Sequence, residues 1–271
     1  MRRKRKQSFL ATIFTIGILV FSVQTIANEK AGYIAIIMDD LGSSAIRAEQ
    51  LIQMPAQLTY SFLPHTPYAE QYAQVAHQQG KEVMLHLPMQ PMSDKDMGPG
   101  GLSQNMSQAK FITTVREAIQ AIPFAVGVNN HMGSLLTRSV KNMHWLMQEL
   151  KSRNNLYFVD SRTHGATVAG QIAERNHLRN TSRDIFLDHV IEKEAIDIQF
   201  ERLLKRVKFS GYALAIGHPH SLTIEALEYW IKVIEEQDIQ IVPVSKYIEL
   251  IEGDRRIWQA SLSLSRKAVK N

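Results

Sequence analysis

Short apolar runs alternate with amphipathic segments along most of this chain, and this alternation limits the folds that it can adopt. The runs are rich in β-branched residues and lie at 33–39, 58–63, 82–87, 124–129, 156–160, 184–188, 212–218 and 239–244. Helix candidates lie between them, at 43–53, 68–79, 107–121, 140–152, 166–176, 193–208 and 224–237. Strands that are apolar on both faces and alternate with helices indicate a parallel sheet covered by helices.

The number of these units predicts the architecture. Seven or eight βα units in about 240 residues fit a (β/α) barrel. A doubly wound open sheet is the alternative, but no glycine-rich phosphate loop follows the first run. We therefore predict a single-domain α/β protein over residues 28–252, with a distorted or incomplete (β/α)7–8 barrel.

The chain begins with a basic segment that is followed by an apolar one. Residues 2–6 are five consecutive Lys or Arg residues, residues 9–23 are poor in polar groups, and Thr25-Ile26-Ala27 precedes a possible cleavage site. This layout is typical of a secretory signal peptide, and an uncleaved inner-membrane anchor is the alternative. We expect residues 1–27 to direct export to the periplasm or envelope of a Gram-negative bacterium, and membrane contact only through this segment.

Most of the net positive charge lies in that first segment. The chain has 31 Lys and Arg against 26 Asp and Glu, and the two counts become equal without the five leading bases. The balance gives no electrostatic argument for nucleic-acid binding. Residues 253–271 are mildly basic and are interpreted as a C-terminal tail. Thiolate chemistry is excluded because the chain has 0 cysteines.

Polar side chains stand where almost every predicted strand ends. The carboxyl ends of parallel strands converge on one side of an α/β fold, and active sites form there. Asp188 and His189 are interpreted as a strand-end pair outside the site. The other polar residues at these ends are Asp39, Asp40, His86, Asn129, Asn130, His131, Asp160, Arg162, His218 and His220.

This combination of residue types favours a metal site. One carboxylate and two neutral imidazoles are common ligands of Zn²⁺, with a position left for water. A second carboxylate beside that water can act as its base. Each residue alone has a plainer interpretation, since Asp40 can cap a turn and His86 or His131 can be a hydrogen-bonded core histidine. Their joint position at strand ends favours the metal.

Four segments resemble the divergent polysaccharide deacetylases, a branch of the NodB-homology superfamily. They are "IMDDLG" at 37–42, "GKEVMLHLPMQ" at 80–90, "GVNNHMGS" at 127–134 and "AIGH" at 215–218. The resemblance spans residues 31–250 and implies a NodB-like barrel. It also implies that Asp39 is the catalytic base, that Asp40 and His86 bind the metal, and that His218 is the general acid.

The chain departs from the general pattern of the superfamily in two places. Gln90 stands where a second metal-binding histidine is expected, and "GVNNHMGS" replaces an Arg-x-Pro-Tyr motif. We infer that His131 supplies the lost ligand from the neighbouring strand. The resemblance further implies that Asp160 orients a catalytic group and pairs with Arg162.

The resemblance implies removal of N- or O-acetyl groups from an envelope or other polysaccharide or oligosaccharide, with Zn²⁺ as the expected ion. Asn130 and His220 are predicted to support the site or bind substrate, together with Asp160 and Arg162. The Pro-, Gly- and Met-rich insertion at 89–106 is a candidate wall of a sugar cleft. The alternative is a catalytically silent envelope module of the same fold that binds a glycan or a protein.

Overall fold

The computed structural model describes residues 32–153 and 156–268, with side chains through residue 257. The predicted export segment at 1–27 lies outside this range. The strands are β1 Gly32–Leu41, β2 Thr59–Phe62, β3 Glu82–Met89, β4 Gly127–Met132, β5 Tyr157–Asp160, β6 Asn180–Ser182, β7 Ile185–Phe186, β8 Tyr212–Gly217 and β9 Ile239–Ile241. The helices are α1 Ala45–Ile52, α2 Ala69–Gln78, α3 Gln108–Ala121, α4 Val140–Lys151, α5 Ala169–Arg175, α6 Lys193–Ser210, α7 Ser221–Glu235 and α8 Val244–Ala268.

The strands form one parallel sheet in the order β6-β5-β4-β3-β2-β1-β8-β7, and β9 also pairs with β1. β6 and β7 stand at opposite ends of this order but follow each other closely in the chain. One extended segment therefore pairs first with β5 and then with β8. The sheet curls into a half-barrel, which confirms the predicted α/β class and the incomplete barrel.

Both faces of the sheet are buried. On β1, Ile34, Ile36 and Met38 belong to the large core between the sheet and its helices. The alternate residues Ala35 and Ile37 belong to a second apolar cluster on the inner face. Because successive side chains point to opposite faces, a strand buried on both sides is apolar throughout.

The predicted helices are confirmed, with ends shifted by three residues at most. Three of them begin at a serine whose side chain accepts a hydrogen bond from a backbone N–H of the first turn, the usual N-cap arrangement. These serines are Ser44, Ser107 and Ser139.

The strands agree less closely with the prediction. The strand predicted at 124–129 begins only at Gly127, and this strand, β4, continues through His131 to Met132. The run at 184–188 contains only the short β7, and β6 was not predicted. β6 was missed because Asn180–Ser182 has none of the apolar residues by which a strand is recognised.

Helix α8 was also missed, and it passes without a break through residue 252, where we placed the end of the barrel domain. Val244, Tyr247 and Ile248 of its first turns belong to the inner cluster. The backbone N–H groups of Val244 and Ser245 bond to side chains at the starts of β2 and β3. The beginning of α8 therefore covers the amino-terminal end of the half-barrel.

Candidate metal centre

The inner face of the sheet changes from apolar to polar toward the carboxyl ends of the strands. On β1, Asp39 follows Ala35 and Ile37 on this face, and on β3 His86 follows Met84. Residues two apart in a strand share a face. The site is therefore a polar layer on top of the apolar inner cluster.

A bulge at the end of β1 brings two adjacent carboxylates to the same site. The register of β1 against β2 shifts between Met38 and Leu41, and Asp40 has a φ of 57°. This left-handed conformation is uncommon for a residue other than glycine, and bulges redirect side chains near active sites. Strict alternation would place Asp40 on the outer face, but the bulge turns it toward His86.

Asp40, His86 and His131 meet at one point. Oδ1 of Asp40 lies 2.8 Å from Nδ1 of His131 and 3.1 Å from Nε2 of His86. The two ring nitrogens are 3.2 Å apart. Oδ1 of Asp40 is buried and has no hydrogen-bond partner of good geometry among the described residues. Burial raises the pKa of Asp40, but His131 and His86 outweigh burial and hold this pKa well below its usual range.

This donor set fits a divalent cation. Each residue offers one ligand atom, and these atoms all lie within 4.8 Å of one another. One carboxylate oxygen with two imidazole nitrogens is a common set for Zn²⁺, and a cation would satisfy the unpartnered oxygen. The side chain of His86 is 2% exposed and that of Asp40 is 33% exposed, so the site opens to solvent on the Asp40 side.

A second polar layer lies behind these three residues. Nδ2 of Asn129 donates to both carboxylate oxygens of Asp39, at 2.8 and 3.0 Å. Oδ1 of Asn129 lies 2.7 Å from Nδ1 of His86 and accepts a 2.8 Å hydrogen bond from Ser61. Burial lowers the pKa of His86, but Asp39 and Asp40 outweigh burial and raise it. Asn129 was assigned no role in the sequence analysis, although it stands at a predicted strand end.

His218 faces Asp40 from β8. Its Nε2 lies 3.9 Å from Oδ2 of Asp40, and its Nδ1 lies 3.0 Å from Oδ1 of Asp188. Burial lowers the pKa of His218, but Asp188 and the two site carboxylates outweigh burial and raise it to about 9. Asp188 therefore orients His218, whereas the sequence analysis left it outside the site.

The structure gives Asp160 and Arg162 different contacts from those expected. Asp160 accepts hydrogen bonds from the backbone N–H of Arg162, the hydroxyl of Thr167 and the N–H of Gly170. No ion pair joins the Asp160 and Arg162 side chains, both of which the structure describes. The prediction that the Asp160 and Arg162 side chains pair is wrong, because the Asp160 carboxylate is bound by groups of its own loop. The residue that orients His218 is Asp188.

Asn130 and His220 lie beside the centre. Asn130 is 1% exposed; it donates to the carbonyl of Met132 and accepts from the N–H of Ser161, so it braces β4 against the end of β5. His220 is the N-cap residue of α7, and its ring centroid lies 6.1 Å from that of His218.

Gln90 holds the insertion at 89–106. Its Oε1 accepts a 2.8 Å hydrogen bond from the backbone N–H of Gln104, and its own N–H donates to the carbonyl of Leu102. Position 90, where a ligand was expected, thus has a structural role, and His131 on the neighbouring strand stands beside His86 instead.

Fold and site together define a half-barrel of the polysaccharide deacetylase class. The model of the divergent polysaccharide deacetylase family matches residues 36–248, and the chain belongs to this family. The chain is 36% identical to the protein YibQ of Escherichia coli K12 over 218 residues. This alignment covers 80% of this chain and 68% of YibQ.

Two solved structures have a similar fold. One is an uncharacterized protein from Agrobacterium tumefaciens C58, with a TM-score of 0.77 at 22% identity over 81% of this chain and 90% of that one. The other is T48 deacetylase, solved with substrate, with a TM-score of 0.51 at 11% identity over 80% of this chain and 91% of that one. In the part of the chain that the structure describes, no helix has the length and apolar character to cross a membrane.

Proposed function

We propose that this protein is a metal-dependent hydrolase that removes acetyl groups from a polysaccharide or oligosaccharide. The observation that carries the proposal is the convergence of Asp40, His86 and His131 beside a histidine that a buried carboxylate orients. Family membership supports acetylated carbohydrate as the substrate class. An export segment at 1–27 would place the reaction in the periplasm or envelope.

Asp40, His86 and His131 would hold the cation, with Zn²⁺ as the proposed ion. When bound, the cation would polarise the acetyl carbonyl and lower the pKa of a coordinated water. His218 is proposed as the general acid. Asp188 occupies its Nδ1 side, so Nε2 is the nitrogen that faces the site and can pass a proton to the leaving amine or alkoxide.

Asp39 is proposed as the general base. Its Oδ1 lies 3.4 Å from Nδ1 of His86, so it is adjacent to the metal ligands. Nδ2 of Asn129 donates to both of its oxygens, so its carboxylate is held in place beside the metal ligands.

One observation favours a second candidate function. Asp39 is 1% exposed, and both of its oxygens already accept from Asn129. A carboxylate buried in this way is also suited to hold its neighbours in place without accepting a proton. The protein would then be a silent module that keeps a metal site and binds a glycan or protein.

Acetate release separates the two functions. The full wild-type chain is incubated with N-acetylated and O-acetylated glycans, both with added Zn²⁺ and after chelation, and the Asp40→Ala variant is tested beside it. If the protein is a hydrolase, we expect acetate release from the wild type that is lost on chelation and restored by Zn²⁺, and no release from Asp40→Ala. Zinc binding without acetate from any of the glycans would overturn the hydrolase in favour of the binding module.

A further inference from the structure

We infer that Asn129 is a positioning residue that fixes which ring nitrogen of His86 is free to bind a metal, and at the same time holds the carboxylate of Asp39. The inference rests on the proposed function only in taking His86 as a metal ligand. Asn129 lies in the middle of β4, directly opposite His86 in the parallel register of β3 and β4. Its side chain is completely buried, so its amide can bond only to protein groups.

The neighbours of Asn129 determine the orientation of its amide. Nδ2 faces the two oxygens of Asp39, and Oδ1 faces the hydroxyl of Ser61. In the reverse orientation the amide oxygen would face two carboxylate oxygens with no proton between them. A buried contact of this kind between acceptors is costly. The orientation with Oδ1 toward Ser61 and His86 is therefore the stable one.

This orientation fixes the proton on His86. Oδ1 of Asn129 is an acceptor and lies 2.7 Å from Nδ1 of His86, so Nδ1 must carry the proton. In the neutral ring, Nε2 then has its lone pair free. Nε2 is the atom that lies 3.1 Å from Oδ1 of Asp40 and 3.2 Å from Nδ1 of His131. The amide thus aims the lone pair at the point where the cation would bind.

The neighbouring Asn130 provides a matched control. Both asparagines are buried in β4, but Asn130 points to the opposite face and bonds to Met132 and Ser161 instead of site residues. Truncation of either one removes a buried amide of the same size. Only Asn129→Ala changes the surroundings of His86 and Asp39.

The test combines nitrogen-15 NMR of the histidine rings with zinc affinity, both on the full chain. In the metal-free wild type, at a pH where His86 is neutral, we expect the proton on Nδ1. Asn129→Ala should lose this preference and bind Zn²⁺ about 10 to 100 times more weakly. Asn130→Ala should retain the tautomer and stay within about threefold of wild-type affinity, since outer contacts that touch no ligand do not tune the site.

Two results would overturn the inference. One is a neutral His86 in the wild type with its proton on Nε2, which decides the question even if Asn129→Ala does not fold. The other is equal zinc affinity and the same tautomer in Asn129→Ala and Asn130→Ala. If the wild type binds no zinc at all, the metal-dependent function fails, while the tautomer still tests the role of Asn129.

Discussion

Asp188 holds His218 at two points. Its Oδ1 lies 3.0 Å from Nδ1 of the ring, and its Oδ2 accepts a 2.6 Å hydrogen bond from the backbone N–H of the same residue. The hydroxyl of Thr223 also donates to Oδ2 at 2.9 Å. One carboxylate therefore fixes both the ring and the loop that carries it, which leaves Nε2 directed toward Asp40.

Replacement of this carboxylate should lower the pKa of His218. In the metal-free wild type, burial opposes protonation, but Asp188 and the site carboxylates outweigh it and raise the pKa to about 9. A raised histidine pKa stabilises the fold below the unfolded value of 6.5, and this contribution is lost as the pH rises through about 9. We expect Asp188→Asn to move the His218 titration, followed by NMR, toward or below its ordinary range.

Asp184 supplies the control for this measurement. It lies in the same segment, but it accepts from the N–H of Leu214 and pairs with Arg206. Asp184→Asn should leave the His218 titration close to that of the wild type. An unchanged pKa in Asp188→Asn would contradict the orienting role.

Loss of His131 should abolish tight zinc binding, because Nδ1 of His131 lies 2.8 Å from the unpartnered oxygen of Asp40. We expect His131→Ala to weaken zinc binding by more than about 100-fold, since removal of a ligand costs more than removal of an outer contact. His220→Ala is the control and should bind zinc as the wild type does. Adding Gln90→His to His131→Ala should not restore binding, because the side chain at position 90 is directed toward the insertion, where Oε1 of Gln90 accepts from the N–H of Gln104.

Competition with a chromophoric chelator measures these affinities. If His220→Ala weakens binding as much as His131→Ala, the ligand set is different. Recovery in the double variant would show that residue 90 can reach the ion.

Much of the candidate metal centre could be predicted from the sequence, because its residues stand where the strands end. Asp39, Asp40 and His86 stand at the ends of apolar runs that the structure confirms as β1 and β3. Inner and outer faces are harder to predict, because they depend on register and on bulges. A shift of one residue exchanges the roles of Asn129 and Asn130, and the bulge after Met38 is visible only in the register of β1 against β2.

The partner of His218 depends on closure of the sheet. Asp188 follows β7, a two-residue strand that pairs with β8. This pairing exists only because the chain crosses directly from β5 to β8 through 180–186. The local sequence of Asp188 is that of an ordinary strand end, and only the tertiary arrangement brings it to His218.

Asp39→Asn should separate proton transfer from metal binding. The new amide keeps the size of Asp39, and its oxygen can still accept from Asn129, so zinc affinity should fall by no more than about tenfold. Acetate release should fall by about 10² to 10⁴, the usual contribution of a general base. Parallel losses in affinity and activity would instead assign Asp39 to metal binding.

Glu149 of α4 should make stability depend on pH in the acid range. It is 6% exposed and accepts hydrogen bonds from Arg116, at 3.0 Å through both Nε and Nη2, and from Nε of Arg153 at 3.1 Å. Burial raises its pKa, but the two arginines outweigh burial and lower it. A lowered carboxylate pKa stabilises the fold above the unfolded value of 4.5, and the contribution is lost as the pH falls below it.

We therefore expect Glu149→Gln to lower the free energy of unfolding by about 1 kcal/mol at pH 7, since one partner of each hydrogen bond loses its charge. The difference from wild type should shrink as the pH falls below 4.5. The exposed Glu201 of α6 is the control, and Glu201→Gln should change stability by less than about 0.5 kcal/mol. A difference that does not vary with pH in urea unfolding would refute the assignment.

Gly127 should be intolerant of any side chain, because β4 passes there against the ring of Tyr157. A Cβ on Gly127 would overlap the ring carbons of Tyr157. The ring cannot move away easily, since its hydroxyl donates a 2.8 Å hydrogen bond to Glu82. Overpacking of a buried position usually costs about 1–3 kcal/mol, and we expect Gly127→Ala to lower the free energy of unfolding by this amount.

Gly165→Ala is the control for Gly127→Ala. A Cβ there would meet no atom within 4 Å, so Gly165→Ala should leave the free energy of unfolding within about 0.5 kcal/mol of the wild type. Because Gly127 lies two residues before Asn129 on the same face, Gly127→Ala should also displace Asn129 and weaken zinc binding. Unchanged stability together with unchanged zinc affinity in Gly127→Ala would show that the β4–β5 contact is looser than the packing of Tyr157 indicates.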